Sequence, residues 1–116
     1  MDTLPILTDH NFEKYVLRKG TIVLVSFVDK TNVYDPEQTK KVLQVATKFE
    51  DNDRVLVGEM DVSEGTPLTY GVLNSGSYLF FVNGNIEEGP SINGVEDMPV
   101  EDLLEAINEL LKKYPN

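Results

Sequence analysis

Asp35 stands at the start of a helix, where an acidic side chain has two uses. It could act as an acid or a metal ligand. Alternatively, its carboxylate could accept the unpaired N–H groups of the first helical turn, a contribution of about 1 kcal/mol. Pro36 suits the first helical position and Gln38 completes a capping-box-like arrangement, so the pattern favours the cap. Just upstream, Thr31, Asn32, Val33 and Tyr34 bring a hydroxyl, an amide, an apolar side chain and an aromatic ring together. Asn32 can hold a peptide backbone through its amide or shape a turn with Thr31. His10 is the only histidine, and nothing around it supplies the nucleophile and orienting acid that catalysis would require; it reads as a surface residue. Glu59 and Asp61 lie two apart on a strand and share a side, which reads as an acidic face. Gly65 with Pro67 marks a loop and not a phosphate cradle, and Gly84 and Gly94 read as turn residues. There is no cysteine, hence no disulfide, no thiolate nucleophile and no thiolate zinc site. No acidic run has the spacing of an EF-hand loop. These patterns lead us to expect no catalytic residue, no metal and no cofactor.

The elements that must position these residues alternate between strand and helix, which argues for an α/β layer structure with a mostly parallel centre. Thr8 or Asp9 can cap a first helix whose Phe12, Val16 and Leu17 share a face. Ile22 to Val28 is nearly all apolar, the pattern of a central strand covered on both faces. From Asp35 a second helix carries Val42, Val45, Ala46 and Phe49 at i, i+3, i+4 and i+7. Val55 to Met60 reads as a strand, and Pro67 opens a short helix that Gly71 ends. Tyr78–Val82 and a segment from about Asn85 to Ile92 read as a hairpin turning at Asn83-Gly84. Val100, Leu103, Leu104, Ile107, Leu110 and Leu111 form a last amphipathic helix.

With 116 residues, the chain is expected to form one domain spanning 1–116, long enough to bury a real core. Twenty acidic against ten basic residues give a net charge of −10. That balance argues against nucleic acid as a partner, since binding it needs basic side chains to displace counterions. The acidic clusters at Glu50-Asp51-Asp53, Glu87-Glu88 and Glu96-Asp97 read as solvated surface. No apolar run is long enough to span a membrane. The first residues lack the basic flank and apolar run of a signal peptide, so a cytoplasmic location is expected, with the endoplasmic-reticulum lumen or secretion as the alternative.

Five segments in order resemble the thioredoxin family. Leu7-Thr8-Asp9 with Phe12 and Val16-Leu17 is similar to its opening, and Val23-Leu24-Val25-Ser26-Phe27 to its V-L-V-D-F strand. The spacing from Asp35 to Asp61 matches that from the second cysteine to a strand-end aspartate. Tyr70-Gly71-Val72 and Phe80-Phe81-Val82-Asn83-Gly84 resemble two further signatures. The resemblance implies a thioredoxin-like α/β fold, a central mixed β-sheet flanked by four helices. It also exposes coordinated departures. Where the family carries Trp-Cys-Gly-Pro-Cys, this chain has Thr31-Asn32-Val33-Tyr34-Asp35, with Asn32 and Asp35 at the cysteine positions. Ser26 replaces a buried aspartate, and Gly76 replaces the cis-proline, so a trans peptide is expected there.

The resemblance therefore implies a redox-inactive module that binds a protein or peptide in a chaperone-like or scaffold role, similar to the non-catalytic domains of the protein disulfide isomerases. The alternatives are an oxidoreductase by ancestry and an accessory subunit of a larger enzyme. The surface the family uses to grip substrates corresponds here to Thr31, Asn32, Val33 and Tyr34 with Asp35, to Ser75, Gly76 and Ser77, and to the turn Asn93–Val95 with Gly94 at its centre.

Overall fold

A computed structural model describes residues 3–31, 35–91 and 98–115. Along the chain run β1 (Ile6–Leu7), α1 (Phe12–Val16), β2 (Ile22–Val28), α2 (Asp35–Lys48), β3 (Val55–Asp61), α3 (Thr66–Thr69), β4 (Tyr78–Val82), β5 (Asn85–Ile86) and α4 (Val100–Lys113). Among the described residues the five strands form one mixed sheet in the order β1-β3-β2-β4-β5. β1, β3 and β2 run parallel, β4 is antiparallel to β2, and β5 is antiparallel to β4.

β2 lies at the centre and all seven of its residues are buried, as an apolar run covered on both faces requires. Strand alternation sends Ile22 and Leu24 to one face, where they meet Val42, Val45 and Ala46 of α2 and Leu103, Ile107 and Leu110 of α4. Phe49, just past the end of α2, is partly buried against the same cluster. Val23, Val25 and Phe27 point to the other face and pack with Phe12 and Val16 of α1. There Phe12 and Tyr70 both meet the Phe81 ring nearly edge-on, at 5.7 and 5.2 Å, a favoured aromatic geometry. Among the described residues no helix is long and apolar enough to cross a membrane.

The hairpin turns where expected. Asn83 and Gly84 both have positive φ, 53° and 83°, as a two-residue turn matched to strand twist demands. A Cβ on Gly84 would also meet the Leu17 backbone carbon at 3.2 Å. β5 stops at Ile86 and residues 87–91 are not strand, so the expected segment is shorter; Ile92 lies outside the described residues. Pro90 cannot donate to a ladder, and the Ser91 hydroxyl takes over, accepting the Phe80 N–H at 3.0 Å while donating to the Glu87 carbonyl at 2.6 Å. Leu17 falls beyond α1 and is exposed, so it does not share the buried face of Phe12 and Val16.

α1 begins at Phe12 and is preceded by Asn11 with no side-chain cap, so neither Thr8 nor Asp9 stands at the expected cap position. Thr8 and Asn11 exchange bonds: the Asn11 N–H donates to Thr8 Oγ1 at 3.3 Å and the Thr8 N–H to Asn11 Oδ1 at 2.7 Å, a capping-box arrangement. Asp9 instead serves another helix. Its carboxylate accepts the Gly65 N–H at 2.7 Å, the Thr66 N–H at 2.6 Å and the Thr66 hydroxyl at 2.5 Å, at the start of α3. Glu64 answers by accepting the Asp9 N–H at 2.7 Å.

These bonds, the Thr66 hydroxyl foremost, hold the Asp9 carboxyl below the usual aspartate range. A group whose folded pKa is lowered contributes stability above its unfolded pKa and loses it as pH falls through the folded value. Asp9→Asn is therefore expected to lower the melting temperature at neutral pH. Its difference from the parent should narrow below about pH 4. Thermal unfolding across a pH series checks this; a difference independent of pH would mean the charge is not what matters.

Candidate functional site

The C-terminal end of β2 gathers the chain's loops. Beyond Val28, Asp29 Oδ1 accepts the Thr31 N–H at 2.9 Å and the Thr31 hydroxyl at 2.6 Å, a local Asx turn. Asp61, at the end of β3, ties this loop to its neighbour by accepting the Lys30 N–H at 3.0 Å and the Ser63 N–H at 2.8 Å. Partial burial raises the Asp61 pKa, but the Ser63 and Lys30 hydrogen bonds and the Lys30 charge outweigh it and leave the carboxyl below its ordinary range. Asp61 is thus a brace between loops.

The Ser75–Ser77 loop is anchored at the same strand end. The Gly76 N–H donates to the Phe27 carbonyl and the Phe27 N–H to the Ser77 carbonyl, both at 3.0 Å. Gly76 has φ 86°, in the left-handed region that suits glycine. Among the described residues every peptide bond is trans. Ser75 and Gly76 are half-buried, whereas Ser77 is fully buried with its hydroxyl donating to the Asn74 carbonyl at 3.2 Å. Two residues before this loop, Leu73 is 70% exposed, and Leu68 on α3 is 65% exposed.

Of the residues expected to form a partner surface, Thr31 is exposed and Ser75 and Gly76 flank the same end of β2. Asn32, Val33 and Tyr34 lie outside the described residues, as do Asn93 and Gly94. Asp35 opens α2, and its side chain lies outside what the structure describes. His10 is exposed.

Beneath this end of the sheet lies a polar layer that the sequence pattern did not reveal. Ser26, Glu59 and Tyr78 occupy one row, since Ser26 pairs in register with Glu59 on β3 and with Tyr78 on β4. Ser26 and Tyr78 are fully buried and Glu59 is 7% exposed. Above them, Gln38 of α2 donates its amide to Ser26 Oγ at 2.7 Å and to the Phe27 carbonyl at 3.0 Å. Thr39 donates its hydroxyl to Glu59 Oε2 at 2.8 Å, and the Lys41 ammonium sits 5.1 Å from the Tyr78 ring centre. One expectation is corrected here: Glu59 is a buried residue, not part of an acidic face. Gln38 turns its amide nitrogen to the sheet, and a capping box with Asp35 lies outside the described side chains. Among the described residues no group of three His, Asp or Glu side chains could hold a metal ion.

No known protein-family model matches this chain, and no curated protein matches it in sequence. What stands on sequence and geometry together is an α/β domain with a five-stranded mixed sheet, four helices among the described residues and no cysteine.

Proposed function

We propose that this chain is a thioredoxin-like domain that has lost thiol chemistry and binds a protein or peptide partner at the C-terminal end of β2. A five-stranded mixed sheet with four helices supports this reading, and so does a serine, engaged by Gln38, where the family carries a buried aspartate. The observation that carries the binding role is Leu73. A large apolar side chain, 70% exposed, sits two residues before a loop bonded to β2. Covering an exposed leucine side chain with a partner removes apolar area from water, worth about 1.5–3 kcal/mol.

The test uses isotope-labelled protein titrated with a permanently unfolded chain, reduced and carboxymethylated α-lactalbumin. Backbone signals of Thr31, Leu73, Ser75 and Gly76 should shift. Leu73→Glu should weaken binding at least about tenfold without changing the melting temperature, because the side chain lies outside the core. Unchanged affinity in that variant, or shifts confined to another surface, would overturn the proposal.

A further inference from the structure

β3 is paired along its whole length on one side and along only part of it on the other. All seven residues from Val55 to Asp61 pair with β2, whereas β1 reaches only Glu59 and Met60. In a strand, the N–H and C=O of one residue point to the same edge, and successive residues alternate edges. The Arg54 carbonyl accepting the Ile22 N–H, and the Val62 N–H donating to the Val28 carbonyl, put the even-numbered residues on the β2 side. The Glu59 N–H donating to the Pro5 carbonyl puts the odd-numbered ones on the β1 side. The N–H of Val55 turns back to the Asn52 carbonyl at 3.1 Å. That leaves the Val57 N–H, the Val57 C=O and the Val55 C=O on the outer edge. The parallel register would next call for an N–H from residue 5 to the Val57 carbonyl, and Pro5 has none. Among the described residues no hydrogen bond satisfies these three groups.

Beside them opens a cleft of about 220 Å³, lined by Pro5, Ala46, Phe49 and Val57 and by the exposed acidic residues Glu50 and Asp53. The open backbone edge, the apolar walls and the acidic rim select one kind of occupant. We propose that the outer edge of β3 at Val55–Gly58 takes up a short extended peptide segment from a partner, carrying an apolar side chain flanked by lysine or arginine. One carbonyl of the segment accepts the Val57 N–H, and its N–H groups donate to the Val55 and Val57 carbonyls, adding a strand to the sheet. The apolar side chain fills the cleft, and the basic side chains face Glu50 and Asp53. With a net charge of −10, a second copy of this chain would meet its own charge there, which disfavours self-association. This edge is separate from the loop surface around Leu73.

Two capped pentapeptides, Lys-Val-Thr-Val-Lys and Glu-Val-Thr-Val-Glu, test the assignment by nuclear magnetic resonance and amide hydrogen exchange. In the free protein the Val57 amide should exchange faster than those of Leu56 and Gly58, which face β2. The basic peptide, at up to about 1 mM as suits a weak short ligand, should shift the signals of residues 55–58 and slow exchange at Val57. Asp53→Lys should weaken this binding about tenfold, while Leu73→Glu leaves it unchanged. The inference is overturned if Val57 is already as protected as its neighbours, or if the shifts fall elsewhere. Equal binding of the acidic peptide, or indifference to Asp53→Lys, overturns it as well. Concentration-dependent dimerisation through residues 55–58 in sedimentation would give the edge to a second copy and also refute it.

Discussion

Replacing Ser26 by aspartate should destabilise this domain by about 3–5 kcal/mol at neutral pH, the usual cost of a buried charge without a matched partner. Ser26 is fully buried, and its register neighbour on β3 is the buried Glu59. Side chains paired across parallel strands rise from backbones about 4.8 Å apart, so the introduced carboxylate would lie against an existing carboxyl group. Gln38 offers one amide, already shared with the Phe27 carbonyl, and Thr39 is committed to Glu59. The introduced carboxyl therefore binds a proton more tightly in the folded chain than in the unfolded one. A raised folded pKa for an acid means the penalty is absent below the unfolded value, about 4, and grows as pH rises. Urea unfolding of Ser26→Asp and the parent at pH 4 and pH 7 checks this. Near-equal stability at both values would show that the layer accepts a second carboxylate readily. Ser26→Ala is the companion variant: it removes only the acceptor for Gln38 and should cost about 1 kcal/mol with little dependence on pH.

The same layer shows what the sequence could and could not disclose. Hydrophobic period is a strong signal, and it placed the buried β2, the Val42-Val45-Ala46 stripe and the Leu103-Ile107-Leu110 face correctly, because burial there is decided by one residue type repeating at one spacing. The local capping rule applied to Gln38 did not disclose that its amide nitrogen also serves the sheet. Gln38 lies four residues before Val42, on the core-facing stripe, and so reaches the sheet. Glu59 shares strand parity with Val55 and Val57, which pack beneath α2; an acidic residue at that parity in a doubly covered strand marks a buried polar partner. Asp9 could not be read this way, since its partners Gly65 and Thr66 stand 56 and 57 residues away and no local pattern encodes such a pairing. For the candidate surface, the loop residues followed from the resemblance, but Leu73 did not. A single leucine between Val72 and Asn74 carries no period, and only the fold reveals that Val72 is buried while Leu73 faces solvent.

Thiol exchange needs a thiolate as its nucleophile, so the parent chain should reduce insulin no faster than the dithiothreitol background. Introducing two sulfurs by Asn32→Cys with Asp35→Cys should not create efficient turnover: we expect a rate at least about a hundredfold below that of a thioredoxin, the usual minimum worth of positioned proton transfer. A bridge should still form, since two residues separate the new thiols where α2 begins, and a helix N-terminus lowers a thiol pKa. Loss of the acidic residue that opens α2 should cost up to about 1 kcal/mol through the helix dipole, seen as a lower melting temperature. The expected deficit lies in residues other than the two sulfurs. Ser26 presents a hydroxyl already bonded to Gln38 at 2.7 Å, with no acid to move a proton. Gly76 presents no proline ring against which a substrate could align. The one carboxylate in the row, Glu59, belongs to β3 and is held by Thr39, and a third substitution measures what it can do. If Glu59 relays protons, adding Glu59→Gln to the double variant will reduce the residual rate further; if it is only a structural partner, the rate will hold and only the melting temperature will fall. Turnover equal to a thioredoxin in the double variant would show that two sulfur atoms suffice and that Ser26 and Gly76 do not limit the chemistry.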